Sequence, residues 1–365
     1  MELAFKGDKM KKILIVDDSA LMRRVLCDII ESDKNLKVVD KAINGAEALE
    51  LIRKNSYDAV VLDVNMPVMN GLELLKALRK DKIAVRIMMA STDTREGAQT
   101  TLDALELGAL DFVHKPDRAL DCGGEEFVSN FLRTLNAVVN SNPPTFTKVF
   151  SREDSQNTKK IVELVKKKGV ANAGKQIVAI ASSTGGPKSL QSVIPRLPEN
   201  LDAPVVLVQH MPSGFTKSMA ERLDSLSALH VKEAQEGDEV KKGWVYIAQG
   251  GKHLNVIEKQ GKSIIHYTDE PSREGVKPCA NYMYESLIPS KYDEIVCVVL
   301  TGMGSDGTEG IINLKSKKKV HVISQDEQSC IVYGMPKSVK RAGLSDQVVA
   351  LDQVAQEIIL RVGVN

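Results

Sequence analysis

The sequence has no paired cysteines and no long apolar run. Its five cysteines stand far apart without a Cys-x-x-Cys pair, which speaks against a disulfide framework and against a zinc site. Apolar runs such as 295–300 are far shorter than the roughly 20 residues that cross a bilayer. The first six residues also lack the apolar segment of a secretion signal. We therefore expect a cytoplasmic protein without membrane insertion.

The sequence also lacks a large excess of charge of either sign. It has 49 Lys and Arg against 48 Asp and Glu, a net charge of +1 over 365 residues. Proteins held to nucleic acid by counterion release carry a strong basic excess, so we expect no nucleic-acid partner. The charge is nevertheless uneven, because residues 141–176 hold eight basic and three acidic side chains, a net of +5.

This basic segment predicts the domain organisation. It is polar, contains two adjacent prolines and shows little apolar periodicity, which is typical of a linker. A solvated tether is favoured over a short basic helix at 159–168. The predicted parts are an N-terminal extension at 1–10, a first domain at 11–140, the linker at 141–175 and a second domain at 176–365.

In the first domain, short apolar strands alternate with amphipathic helices such as 20–31 and 45–55. This alternation predicts a doubly wound α/β fold with a parallel sheet and right-handed crossovers. The five predicted strands are 13–16, 37–39, 59–62, 87–90 and 110–113.

Polar side chains follow four of these strands. Asp17 and Asp18 follow the first, Asp63 the third, Ser91 the fourth and Lys115 the fifth. Because ligands of parallel α/β sheets bind at the carboxyl ends of the strands, these side chains should meet at one edge. Three carboxylates there repel unless a hard cation such as Mg²⁺ lies among them. A carboxylate beside the metal is then suited to attack a phosphoryl group whose oxygens bind the serine and the lysine.

A simpler interpretation exists for each residue alone, since Asp18 or Ser19 would suit the cap of the first helix. Five such residues at strand ends make capping an insufficient explanation for the set.

The region 11–135, with Asp63-Val64-Asn65-Met66-Pro67 and His114-Lys115-Pro116, resembles a response-regulator receiver domain, a five-stranded flavodoxin-like fold.

The resemblance implies a role for each of the five side chains. Asp63 would be the phosphoacceptor, and Asp17, Asp18 and Asp63 would hold Mg²⁺. Ser91 and Lys115 would be the switch residues.

In the second domain, three chemically distinct side chains follow buried strands. Ser182 and Ser183 follow the strand 177–181, His210 follows 203–209, and Asp306 lies in the loop after 294–300. A nucleophile, a general base and a carboxylate that orients the base require this placement. The serine turn alone would equally suit a bound phosphate. The order Ser, His, Asp argues against kinship with the α/β-hydrolases, chymotrypsin or subtilisin.

Other residues compete for the same roles. His253, in a glycine-rich loop, is the second candidate for the base, and Cys330 is a weaker candidate nucleophile. Cys297 lies within a strand and is predicted to be a core residue.

The segments 182–186, 209–212, 300–307 and 325–336 resemble the catalytic domain of the CheB protein-glutamate methylesterases, a Rossmann-like α/β domain, and the similarity spans 176–362. It implies that the nucleophile is the serine preceding Thr-Gly-Gly. The implied site residues are Ser183 as nucleophile, His210 as base, Asp306 as its partner, the Met303 N–H as oxyanion donor and Thr184 in support, with no cofactor. Departures from the family pattern occur at Ala181-Ser182, Gln249, 277–281 and 317–319.

The family implies a phosphorylation-activated hydrolase that demethylates chemoreceptor glutamates and deamidates glutamines. Its partners would be methyl-accepting chemoreceptors as substrate and a chemotaxis histidine kinase as phosphoryl donor.

The sequence leaves three alternative functions open: a DNA-binding output domain, a general esterase, and an inactive adaptor. The net acidic second domain without a basic helix-turn-helix argues against the first.

Overall fold

A computed structural model describes residues 10–92, 95–116, 118–143, 162–163 and 174–365. The chain divides into two compact units, Met1–Phe146 and Thr147–Asn365. Nearly all of the predicted N-terminal extension and most of the predicted linker, including its basic stretch 159–168 apart from residues 162–163, lie outside the described residues. Among the described residues, no helix combines the length and the apolar composition needed to cross a membrane.

The first unit contains a five-stranded parallel sheet in the order β2-β1-β3-β4-β5. Its strands are β1 (Lys11–Val16), β2 (Leu36–Ala42), β3 (Ala59–Asp63), β4 (Ile87–Thr92) and β5 (Asp111–Lys115). Its helices are α1 (Ala20–Glu31), α2 (Gly45–Lys54), α3 (Gly71–Lys80), α4 (Arg95–Leu107) and α5 (Glu125–Val139), with a short 3₁₀ helix at Ala119–Gly123. This is the flavodoxin-like strand order, and it confirms the predicted fold.

Local sequence determines where these helices begin. The Ser19 hydroxyl accepts a hydrogen bond from the Met22 N–H, so this serine caps α1. Asn70 and Glu73 form a reciprocal capping box at the start of α3. All five residues of β3 are buried, as expected for a central parallel strand covered on both faces.

The second unit contains a seven-stranded parallel sheet in the order β14-β13-β12-β6-β7-β9-β8 and a separate antiparallel hairpin. The sheet strands are β6 (Gln176–Ser182), β7 (Val205–Gln209), β8 (His230–Glu233), β9 (Trp244–Ile247), β12 (Glu294–Val299), β13 (Lys319–Gln325) and β14 (Gln347–Val349), and the hairpin is β10 (His253–Lys259) with β11 (Lys262–Thr268). The helices are α6 (Gly186–Val193), α7 (Phe215–Leu226), α8 (Ala280–Ser286), α9 (Thr308–Lys315), α10 (Met335–Arg341) and α11 (Leu351–Val362), with a 3₁₀ turn at Ile194–Arg196. The predicted parallel-sheet α/β class is confirmed here too.

The core of the second unit connects the sheet to the hairpin. Side chains of β6, β12 and β7 form one buried cluster with Leu254 and Val256 of the hairpin and with Met283 and Tyr284 of α8. Every residue of β6 and β12 is buried. Because β6 pairs with β12 on one side and β7 on the other, the carboxyl ends of these three strands lie at one edge. The predicted serine, histidine and aspartate loops all start from this edge.

We predict that Gly71→Ala destabilises the first unit. A Cβ atom at Gly71 would lie 2.4 Å from the Asp63 carbonyl oxygen and 3.2 Å from the Val64 Cα, both backbone atoms. Overpacking of this kind lowers the free energy of unfolding by about 1–3 kcal/mol. Urea denaturation followed by circular dichroism measures the change.

Gly123→Ala is the matched control in the same unit, because a Cβ atom there meets nothing within 4 Å. Equal stability of the two variants would contradict the close approach of α3 to the end of β3.

Candidate active site

An acidic cluster lies at the carboxyl edge of the first sheet. Ligand oxygens of Asp17, Asp18 and Asp63 all lie within 4.8 Å of one another. Asp17 and Asp63 are buried and Asp18 is exposed. Three carboxylates with one side open to solvent suit a hard cation that retains bound water, which is the preference of Mg²⁺. The residues present thus fit the predicted metal.

Lys115 contacts two of these carboxylates. Its Nζ lies 2.9 Å from Asp17 Oδ2 and 2.6 Å from Asp63 Oδ1. Burial raises the pKa of Asp63, and the lysine charge opposes that effect only in part. Burial by itself would lower the pKa of Lys115, but the charges of Asp63 and Asp17 outweigh it and raise that pKa. The group is therefore an ion-paired cluster in a low-dielectric environment.

Ser91, the other predicted switch residue, is buried in β4, which extends one residue beyond it to Thr92. It stands opposite His114 in the pairing of β4 with β5. The same edge of the first sheet thus carries Ser91, Lys115 and the three carboxylates.

In the second unit, β6 ends in two serines with different environments. The Ser182 side chain is fully buried, and its hydroxyl donates a 2.7 Å hydrogen bond to Gln209 Oε1. Ser183 is 8 % exposed, and its Oγ makes no hydrogen bond within the described part of the chain. Gly185 takes a φ of 76°, a conformation that favours glycine, and Pro187 lies in the first turn of α6.

The predicted histidine and aspartate form a buried pair. His210 Nε2 lies 2.7 Å from Asp306 Oδ2. His210 Nδ1 is buried and has no hydrogen-bond partner among the described residues. The nitrogen bonded to the carboxylate is thus Nε2, which leaves Nδ1 for a proton acceptor role.

Asp306 is held as a carboxylate by several donors. Its oxygens accept hydrogen bonds from Cys279 Sγ at 3.1 Å, from the Ala280 N–H at 2.6 Å and from the Asn281 N–H at 2.9 Å. Burial alone would raise the pKa of Asp306, but the hydrogen bonds and the charge of His210 outweigh it and lower the pKa. An ionised, fixed carboxylate suits the role of orienting a histidine.

Sequence reasoning missed Gln209 as an individual site residue. Its Nε2 donates to the Ser183 carbonyl at 3.0 Å and to the His210 carbonyl at 3.1 Å, while its Oε1 accepts from Ser182. One buried amide thus connects the ends of β6 and β7. The signal in the sequence was a polar residue that ends an apolar strand directly before His210.

The loop after β12 lies against the serine turn. The Ser183 N–H donates to the Thr301 carbonyl at 3.0 Å, and a Cβ atom at Gly302 would lie 2.7 Å from the Ser183 Cβ. Met303, next in the loop, is 38 % exposed. Thr184 is buried, and its carbonyl accepts a hydrogen bond from Thr301 Oγ1 at 3.0 Å.

These contacts bring the Ser183, His210 and Asp306 segments to one edge of the sheet. The His210 N–H also donates to the Ser182 carbonyl at 3.1 Å. Within the described residues there is no hydrogen bond between Ser183 Oγ and the His210 ring.

The competing candidates have other environments. His253 is fully buried at the start of β10, with its ring 4.6 Å from that of Tyr282 and Nε2 3.3 Å from the Pro271 carbonyl. Burial lowers the pKa of His253. Cys330 is buried, and burial raises the pKa of its thiol, which disfavours the thiolate. Cys297 lies in the core, as predicted.

The two folds and their sites define a class of protein: a response regulator whose receiver domain is joined to a hydrolase domain. A family model described as CheB methylesterase matches residues 178–358, and one described as response regulator receiver domain matches residues 13–121.

Relatives match this chain across both units. The protein-glutamate methylesterase/protein-glutamine glutaminase of Pyrococcus abyssi is 41% identical over 350 residues, covering 95% of this chain and 92% of the relative. The enzyme of that name from Thermotoga maritima is 40% identical over 352 residues, covering 96% and 98%. The chain belongs to the CheB methylesterase family, which confirms the predicted family and enzyme class.

We predict that Mg²⁺ stabilises the first unit through its acidic cluster. A ligand that binds only the folded state stabilises it, by about 2.7 kcal/mol at a concentration of 100 times Kd. Thermal unfolding in increasing MgCl₂ should show a rising Tm for the wild type and a much smaller rise for Asp63→Asn and Asp18→Asn.

Asp28→Asn is the control, because Asp28 pairs with Arg24 on the exposed surface of α1. A magnesium response that survives in Asp63→Asn and Asp18→Asn would rule out this cluster as the metal site.

Proposed function

We propose that the chain is a phosphorylation-activated hydrolase that demethylates glutamate methyl esters, and deamidates glutamines, on chemoreceptors. Residues 176–365 form the catalytic domain, 11–140 the receiver domain, and 141–175 the linker between them. The observation that carries the proposal is the buried pair of His210 and the ionised Asp306 at the sheet edge that also holds Ser183, whose hydroxyl makes no hydrogen bond to any described residue.

Ser183 is the nucleophile in this proposal, and His210 is its base. Ser183 Oγ attacks the ester carbonyl and transfers its proton to His210 Nδ1, while Nε2–H stays bonded to Asp306. When the tetrahedral intermediate collapses, the C–O bond to the methoxy group breaks and methanol leaves with the proton from His210. Water then hydrolyses the acyl-enzyme by the reverse proton transfers, which yields glutamate and free Ser183.

The Met303 N–H is the proposed donor to the developing oxyanion. The loop that carries it packs on Ser183 through Gly302, and the Met303 N–H makes no backbone hydrogen bond within the described residues. A fixed donor of this kind contributes about 3 kcal/mol to transition-state stabilisation. Thr184 supports the site through its carbonyl bond to Thr301.

Deamidation uses the same residues with a different leaving group. The glutamine carbonyl is attacked by Ser183, and ammonia leaves with the proton from His210. Esters and amides thus share one acyl-enzyme. The names of the relatives, which include both activities, support this part of the proposal.

The receiver domain is the proposed regulatory part. Asp63 accepts a phosphoryl group from a chemotaxis histidine kinase, and Lys115 and Ser91 respond to the new charge. Asp17, Asp18 and Asp63 would hold Mg²⁺, which would supply positive charge against the phosphoryl oxygens. Phosphorylation adds a charge of about −1.5 to −2 beside Lys115. The lysine then has to rearrange its contacts with the Asp17 and Asp63 carboxylates. The location proposed for these reactions is the cytoplasm.

We predict that Ser183→Ala abolishes esterase activity and that Ser182→Ala does not. Loss of a serine nucleophile lowers kcat by at least about 10³-fold. Ser182→Ala removes only the hydrogen bond to Gln209, so a loss within about tenfold is expected. Methanol release from methylated receptor fragments measures both variants.

The adjacent serines form a matched pair, because each change deletes one hydroxyl from the same turn. The reverse result, activity retained in Ser183→Ala and lost in Ser182→Ala, would reassign the nucleophile. Activity retained in both would refute a serine mechanism at this turn.

We predict that a phosphoryl donor raises esterase activity only when Asp63 is present. Acetyl phosphate with Mg²⁺ should raise kcat several-fold in the wild type and leave Asp63→Asn unchanged. Asp58→Asn is the control, since Asp58 lies at the other end of β3 in a partly exposed pair with Lys11. Equal activation of Asp63→Asn and the wild type would contradict Asp63 as phosphoacceptor.

A further inference from the structure

The segment 279–281 contacts the Asp306 loop at both the backbone and the side chains. Besides the three donors to the Asp306 carboxylate, it contributes the fully buried side chain of Asn281. Asn281 Oδ1 accepts hydrogen bonds from the Gly307 N–H at 3.0 Å and the Gly310 N–H at 2.7 Å. The start of α9, directly after Asp306, is therefore attached to the start of α8 through one amide oxygen.

The amide nitrogen of Asn281 has a different partner. Asn281 Nδ2 donates to Glu274 Oε1 at 2.9 Å, and the other carboxylate oxygen of Glu274 accepts from Ser305 Oγ at 2.5 Å. Glu274 thus bridges Asn281 and Ser305, the residue directly before Asp306. Glu274 adopts a φ of 56°, which is uncommon for a residue with a side chain and is retained where the surroundings fix it.

We propose that Asn281 is a positioning residue, whose neutral amide joins the Glu274 carboxylate to the Asp306 loop and so fixes the carboxylate that orients His210. The inference rests on the proposed function, because it assigns a purpose to the position of Asp306. Asn281 touches neither substrate nor the reacting atoms and acts only through Asp306.

With the Glu274 carboxylate opposite, the chemistry requires an amide at position 281 rather than a second carboxylate. An aspartate at 281 has nearly the same shape and would still accept from Gly307 and Gly310. Its second oxygen, however, would face Glu274 Oε1 at about the 2.9 Å now spanned by a hydrogen bond. Two carboxylates at this distance repel, and the buried Asp306 carboxylate lies nearby. The cation next in sequence, Arg273, is engaged by Glu285 and Glu309.

The same argument predicts a rescue. Changing Glu274 to glutamine places an amide N–H₂ opposite the new aspartate, so residue 274 becomes the donor and residue 281 the acceptor. The pair then carries one negative charge, as it does in the wild type. We therefore expect Asn281→Asp to lower kcat about tenfold with little change in KM, and the double variant Asn281→Asp/Glu274→Gln to recover most of the loss. Glu274→Gln alone should stay within about threefold of wild type, because the glutamine oxygen can still accept from Asn281.

Asn313→Asp is the matched control. Asn313 Nδ2 donates to Glu285 Oε1 at 2.7 Å, so the substitution brings two carboxylates together at a pair that does not contact Asp306 and whose Glu285 is also paired with Arg273. We expect it to leave kcat within about twofold of wild type. Circular dichroism melting of each variant shows whether the fold is retained.

Repeating Asn281→Asp in an Asp306→Ala background tests the route of the effect. If Asn281 acts through Asp306, the second substitution costs nothing further. The same tenfold loss in that background, full activity of Asn281→Asp, or failure of Glu274→Gln to rescue a folded Asn281→Asp protein would each overturn the inference. The variant Ser183→Ala separates this inference from the proposed function. If the proposed function is wrong, Ser183→Ala stays active. If only the role of Asn281 is wrong, Ser183→Ala is inactive.

Discussion

The arrangement of the catalytic unit depends on the parallel pairing of β6 with β12 and with β7. Parallel strands end at a common edge, so the pairing of the strands brings the residues that follow them close together. The three strands are almost entirely apolar and buried, and their side chains fix the register of the sheet. The polar residues at their ends then have to satisfy one another, and the Gln209 amide does so for both serines and for the histidine loop.

Both units bury carboxylates at such an edge, and they stabilise them differently. In the first unit, a lysine charge balances Asp17 and Asp63, which leaves a cluster that an added charge can rearrange. In the second unit, Asp306 is surrounded by hydrogen-bond donors that belong to the backbone and to neutral side chains, apart from His210. Ion pairs that respond to an added charge suit a switch, whereas fixed dipoles suit a site that must keep one geometry through a reaction.

Much of the fold could be predicted from the sequence, because buried parallel strands appear as short apolar runs. Helix α1 was predicted with its observed bounds, and β7 begins two residues later than predicted, since Pro204 has no N–H to donate to a neighbouring strand. The positions of the serine, histidine and aspartate followed from the strand ends. The difference between Ser182 and Ser183, the role of Gln209 and the contacts of Asn281 could not be derived, because each depends on side-chain packing between segments that are distant in sequence.

The close contact between Gly186 and Gln209 has a consequence for how such sequences can diverge. A Cβ atom at Gly186 would lie 1.9 Å from Gln209 Oε1, so the glutamine amide occupies the space that any larger residue at 186 would need. A shorter side chain at 209 would open that space but would lose the bonds to Ser183 and His210. A larger residue at 186 would displace the glutamine amide from its hydrogen bonds, so a change at either position alone disturbs the same set of contacts between β6 and β7.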